Sequence, residues 1–276
     1  MAVKRVKKKE GIMLGVKPAG YWASQWNAFI SSFINIARPR FLQAAFFDLL
    51  TLIALFLVFG LSFSLINRVS APVLPELLNI MALQQAGDSE AFSQAVVAIA
   101  PVLNKILWIF LVTLIVAFFL SIFFISAFYG RAWALARARK PGKSFIRKLF
   151  LVNLLWFLAW IIILLITVNI FITPIAAIIM LIEALLFFYS DSALRAVFDD
   201  SKNIRQNFSA FFRIAVRLHW FVFFIISGVI LGVILMLILG VFINIKLLFA
   251  LLAIIFALLF MGWQRNYVIS IVNSMK

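Results

Sequence analysis

Two carboxylates lie where an apolar chain tolerates them least. Asp48 falls inside the apolar run 41–66 and Glu183 inside the run 174–190. A charge at the centre of a bilayer costs about 2.5 to 3.5 kcal/mol on insertion scales, so each must face a protein interior and either find a partner or hold a proton. Counted from the run ends that adjoin basic loops, both are about seven residues in, roughly 10 Å deep at the rise of a helix. Asn153, in the run 149–172, and Ser126, in 106–130, reach a similar layer. Two chemistries fit such a layer. One is a proton- or cation-linked site, or a pocket for a lipid headgroup, built from Asp48, Asn153 and Glu183. The other is adhesion between helices, with the acids hydrogen-bonded to Asn, Ser or a snorkelling cation such as Arg131.

Other chemistry is hard to assemble from this chain. Cysteine is absent, which removes disulfides, thiolate metal sites and thiol nucleophiles. The single histidine, His219, stands beside Trp220 with no acid cluster at ligand spacing and reads as an interface residue. No H-x-x-x-H, G-x-S-x-G or phosphate-cradling glycine loop occurs. Asp199-Asp200 has the chemistry to hold a magnesium ion, but beside Lys202 it reads better as a helix start. The expectation is a non-enzymatic protein with no catalytic residue, metal or cofactor.

The elements that would position these residues are membrane helices. With 66% hydrophobic residues, 32 Phe and a mean hydropathy of +1.16, the chain has too little polar surface to dissolve as a globule. The expected fold is an all-α polytopic membrane protein, one domain over 21–265, with spans at about 41–66, 106–130, 149–172, 174–190, 220–243 and 247–263. Residues 1–20 read as a basic tail and 266–276 as a second tail. An external segment, 67–104, is edged by Pro72, Pro75 and Pro101 and carries two amphipathic pieces, 75–86 and 89–100. It reads as a lid lying on the bundle, with Asp88 or Ser89 capping the second piece. Between Tyr21 and Ala37, Trp22, Trp26, Phe29, Ile30, Phe33 and Ile36 recur at helical spacing opposite Gln25, Asn27 and Ser32. That helix either lies in the interface or packs on the bundle. Gly228, Gly232 and Gly240 form a small-residue stripe suited to close helix packing.

Charge sets the direction of threading. The segment from Arg131 to Lys148 holds seven Lys or Arg and no acid between two membrane-length runs, and such loops stay in the cytoplasm. Of the 25 Lys and Arg, this arrangement leaves only Arg68, Lys105 and Lys246 outside. Both termini are then cytoplasmic in a multi-pass protein of the cell membrane. Arg38, Arg40, Arg137, Arg139, Lys140, Lys143, Arg147, Lys148, Arg213 and Arg217 become contacts for anionic lipid or an acidic partner, another membrane subunit among them. Nucleic acid is not the expected partner, because cations in a membrane chain serve topology first. The leading functional expectation is a scaffold or accessory subunit; the alternative is a small transporter or channel using the carboxylate layer.

Each inner segment also presents Phe beside small polar or basic residues ahead of a hairpin: Ser32-Phe33-Ile34-Asn35, Ser144-Phe145-Ile146-Arg147 and Ser209-Ala210-Phe211-Phe212-Arg213-Ile214. The pattern suggests three parallel units. With Ser201-Lys202-Asn203-Ile204-Arg205-Gln206-Asn207-Phe208 leading into the fifth span, the chain over about residues 20–265 resembles uncharacterised six-helix membrane families of archaea and bacteria. Some of these are related to the membrane domain found beside glycerophosphodiester phosphodiesterases. The resemblance implies a membrane domain without a settled activity, and no stretch of these 276 residues reads as a soluble phosphodiesterase domain.

Overall fold

The computed structural model describes residues 20–142, 144–171 and 173–275. Among these the chain is all-helical, and six helical stretches are long and apolar enough to cross a membrane. The tail expected over 1–20 lies, apart from Gly20, outside the described residues, as does Lys143.

Helix α1 (Tyr21–Ile34) packs along the last helix of the chain, α10 (Lys246–Ser274). It does so through its polar face. Gln25, Ala28 and Ser32 are buried, while Trp22 and Trp26 are 71% and 56% exposed. The inversion has a simple cause, since both ends of the Gln25 amide are satisfied: Nε2 donates to the Trp220 carbonyl at 2.8 Å and Oε1 accepts from the Tyr267 hydroxyl. A buried amide with its bonds made carries no desolvation penalty to push it outward.

Helix α2 (Pro39–Ser70) opens with Pro39, whose missing N–H is harmless in a first turn. A 3-10 turn at Ala71–Val73 leads into α3 (Leu74–Ala86), and Gly87, at φ 74°, reverses the chain. Asp88 then caps α4 (Ser89–Phe124), accepting from the Ala91 N–H at 3.0 Å. The helix continues through Pro101, which has no N–H to give to the backbone ladder. A π-helical turn, Ile125–Tyr129, joins it to α5 (Gly130–Ala136). Each arm of this hairpin is a 48-residue stretch, about 72 Å along its contour at the helical rise and more than twice the roughly 30 Å hydrocarbon core. The expected lid is therefore corrected. α3 packs on α4 rather than lying across the bundle, and Leu78, Met81 and Val97 remain exposed.

Helices α6 (Phe145–Ile170) and α7 (Thr173–Val197) form a tight hairpin, with Pro174 in the first turn of α7. Asn203 and Gln206 cap α8 (Ile204–Ala215) reciprocally, side chain to backbone, at 2.8 and 3.0 Å. A 3-10 turn, Leu218–Phe221, precedes α9 (Val222–Val241), and α10 closes the chain. The helix that carries the sixth span does not give way to a tail over 266–276. α10 continues to Ser274, and Trp263, Arg265, Tyr267, Val268 and Ile271 on it are all but inaccessible.

The core sits at the end of the bundle that carries the basic connections. Trp133, Phe198, Phe211, Phe221, Phe224, Trp263 and Tyr267 are buried together there, with Phe188, Phe224 and Trp263 stacked at centroid distances of 5.3 and 5.6 Å. Toward the other end the helices expose long apolar faces. The glycine stripe on α9 is not where helices meet most closely. A Cβ at Gly228 would meet Phe188 and Trp263 at ordinary contact distances, and one at Gly232 or Gly240 would meet nothing within 4 Å. The tight positions are Gly130, facing Leu149, and Gly262, facing the Phe41 ring. Nor are the three Phe-bearing segments alike: Phe33 is 41% exposed while Phe145 and Phe211 are buried. Only the first and third have a separate helix ahead of the hairpin, because Phe145 begins α6 itself.

Candidate functional site

The polar residues of the spans form separate pairs. Asp48, fully buried on α2, accepts from Arg265 Nη1 through both carboxylate oxygens at 3.0 Å, which ties the first span to the last. Asn153 on α6 donates to Ser126 at 2.8 Å inside the π-helical turn, and Ser126 donates in turn to the Ile122 carbonyl. Glu183 accepts from the Thr167 hydroxyl at 2.5 Å. Thr167 is within one turn of the end of α6 remote from the basic connections, and Glu183 is nearer Thr173 than Val197. Because α7 runs past residue 190 to Val197, Glu183 does not share the depth of Asp48. The structure thus brings Asn153 and Ser126 together and leaves Asp48 and Glu183 apart, and none of the three candidates lines a major cavity among the described residues. Arg131 lies over the Phe47 ring at 5.9 Å instead of reaching Asp48.

A further pair, a buried arginine on a half-buried acid, escaped the sequence. Arg195 on α7 holds Asp191 in a two-pronged bond at 2.8 and 2.7 Å and lies 4.8 Å from the Tyr129 ring centroid. Ser192, next on that helix, accepts from Gln264 of α10 at 2.5 Å. These contacts and the Asp48–Arg265 pair fasten α2, α7 and α10 in the basic half of the bundle.

The loop after α5 is docked by its own cations. Arg137 Nη1 donates to the carbonyls of Ala196 and Phe198 at 3.0 and 2.6 Å, satisfying the end of α7 where backbone acceptors lack helical partners. Lys148 donates to the carbonyl of Asp200 at 2.6 Å, and Gly142 N–H to the Asp200 carboxylate at 2.8 Å. Asp199 accepts from the hydroxyl and backbone N–H of Ser201 and pairs with Arg139 at 3.1 Å. Both acids are therefore engaged by the loop, and no cluster of metal-binding side chains occurs among the described residues.

This docking leaves a recess of about 600 Å³ between the ends of α5, α7, α8 and α10. Its cations are Arg137, Arg139, Lys202, Arg213 and Arg217, and its one acid is Asp199. The hydrogen bonds from Ser201 come first among the causes that hold the Asp199 carboxyl down at about 2, with Arg139 adding to them, so it is ionised at any physiological pH. Burial, with the charge of Arg139, lowers Arg137 to about 10 against the pull of Asp199 and Asp200, which still leaves it protonated at neutral pH. Four of the five cations hold a protein partner, Arg137 and Arg139 through the contacts above, and each keeps further N–H groups. Arg217 donates to the Met275 carbonyl at 3.2 Å and Arg213 to the Ser209 carbonyl at 3.4 Å, while the Lys202 ammonium has no protein partner among the described residues. Val197, Ile214, Ile269 and Val272 supply an apolar floor.

Of the cations expected to meet an anionic partner, Arg137, Arg139, Arg213 and Arg217 converge here. Lys148 is consumed in docking the loop, Lys140 is exposed on it and Arg147 on the first turn of α6, and Arg38 and Arg40 lie across the same end at the start of α2. Sequence reasoning missed Arg265 and Lys202. For Arg265 the usable signal was the apolar spacing of Tyr267, Val268, Ile271 and Val272, which continues the helix beyond the polar trio Gln264-Arg265-Asn266. No family model matches the chain, and no curated protein or solved structure shows a significant likeness to it.

Proposed function

We propose that this chain is a non-enzymatic membrane scaffold or accessory subunit that docks an acidic partner segment in the recess of Arg137, Arg139, Lys202, Arg213 and Arg217, with that end of the bundle turned to the cytoplasm. The carrying observation is five cations against one carboxylate around an apolar floor. Guanidinium forks take carboxylates two bonds at a time, and the floor offers a place for an aliphatic side chain between them. The recess is walled by the terminal turns of four helices, so an occupant reaches it from water and not from the hydrocarbon. Its volume falls in the ordinary range for a binding pocket of about 300–1,000 Å³.

The test is binding of a fluorescent Glu- and Leu-rich peptide to the full chain in non-ionic detergent. Affinity should fall steadily with added salt and drop at least about tenfold in Lys202→Gln/Arg213→Gln, since each lost charge-assisted bond is worth on the order of 1.5–3 kcal/mol. Equal binding of a Gln-substituted neutral peptide, or binding confined to anionic vesicles, would overturn the reading.

A further inference from the structure

A second, smaller recess lies across the same end, where α2 begins. Its volume is about 90 Å³, and Asn35, Arg38, Arg40, Arg265 and Asn266 supply its polar lining. At roughly 30 Å³ per water this holds a group about three waters in size, which suits one phosphate. Four features converge on an anion. Arg38 and Arg40 are exposed, and their guanidinium groups have no protein partner among the described residues. The positive dipole end of the 32-residue α2 opens between them, its Phe41 N–H being taken by the Arg38 carbonyl at 2.8 Å and Pro39 having none to offer. Arg265, 1% exposed, lines the recess and carries an Nε–H with no partner, because Asp48 is held through Nη1 alone. No acid lines the recess.

The neighbouring groove decides which phosphate. On the adjacent face of the same turns of α2, Leu42, Gln43, Phe46 and Phe47 form with Leu135 of α5 a largely apolar groove of about 430 Å³. Leu42 and Phe46 are 70% and 57% exposed, and with the threading proposed above the groove would lie where the first span enters the membrane. A free phosphate would use only the polar recess, whereas a molecule carrying phosphate at the end of an acyl chain uses both. We infer that Arg38, Arg40 and Arg265 bind the phosphate of an anionic phospholipid, with an acyl chain along Leu42 and Phe46. The site shares no cation with the recess proposed for the acidic partner and stands without it.

The probe is phosphatidic acid titrated into the delipidated full chain in detergent, followed by native mass spectrometry, with phosphatidylcholine as the comparison lipid. One phosphatidic acid should be retained in preference to phosphatidylcholine. Arg38→Gln/Arg40→Gln, a surface change that leaves the bundle folded, should weaken it at least about tenfold for two lost charge-assisted contacts. Lys202→Gln/Arg213→Gln should leave it unchanged. Arg265→Lys keeps a charge opposite Asp48 and removes the Nε donor, and should weaken the lipid as well. Wild-type retention in the Arg38→Gln/Arg40→Gln variant would overturn the site. Displacement of the lipid by millimolar inorganic phosphate would overturn the lipid as its occupant.

Discussion

Asp48 and Arg265 stand 217 residues apart and meet with their side chains essentially inaccessible to solvent. Two opposite charges withdrawn from water are tolerable because each is the other's partner. Removing one strands the survivor, while replacing both by apolar side chains of similar volume removes the desolvation cost together with the attraction. Asp48→Asn is therefore expected to destabilise the protein by about 3–5 kcal/mol, and Asp48→Leu/Arg265→Met to be at least as stable as the parent. Denaturant unfolding in detergent reads both, and additive losses in the double variant would show that the two residues are not coupled. The acid was legible in the sequence because it interrupts an apolar run. Its partner was not, because Arg265 follows the sixth apolar run as a topological cation would. Glu183 was legible in the same way as Asp48, but its depth depended on where α7 ends, and hydropathy places that end too early.

Helix ends were read short wherever the helix continues into the basic-end core. Mean hydropathy reports which residues suit lipid, and the last turns of α7 and α10 are buried among protein side chains, so Arg195, Gln264 and Arg265 are helical without being lipophilic. The opposite error befell Pro101, whose punctuating value holds only where nothing else sustains the helix. Hairpins were legible because proline and a short polar turn mark them, as at Thr173-Pro174. Close packing was misplaced because a small-residue stripe says where a neighbour could approach and not whether one does. A Cβ at Gly262 would fall 2.1 Å from the Phe41 ring, whereas one at Gly232 meets nothing within 4 Å. Gly262→Ala should cost about 1–3 kcal/mol as an overpacked contact, and Gly232→Ala should be neutral or slightly stabilising, since alanine is the better helix former. Thermal unfolding of the two variants side by side checks this, and equal midpoints would refute the assigned contact between α2 and α10.

At the scale of the whole molecule, the chain divides into a cation-rich end holding its aromatic core and six apolar arms that expose aliphatic and Phe side chains along their length. That division suits a membrane, and the orientation proposed above rests on the resistance of lysines and arginines near helix ends to translocation. The two longest arms, each 48 residues, outreach the bilayer, so α3 and the start of α4 should project on the far side with Glu76, Asp88 and Glu90. The absence of cysteine makes single introduced thiols unambiguous reporters. Gln85→Cys, beside the Gly87 turn, should react with a membrane-impermeant maleimide on intact cells, and Lys140→Cys only after permeabilisation. The reverse pattern would turn both cationic recesses outward, away from the leaflet where anionic lipid concentrates. Labelling of both sites in intact cells would remove the bilayer from between them. Either result would deprive the Arg38–Arg40 recess of its phospholipid, because that recess depends on the first span entering the membrane from the anionic side.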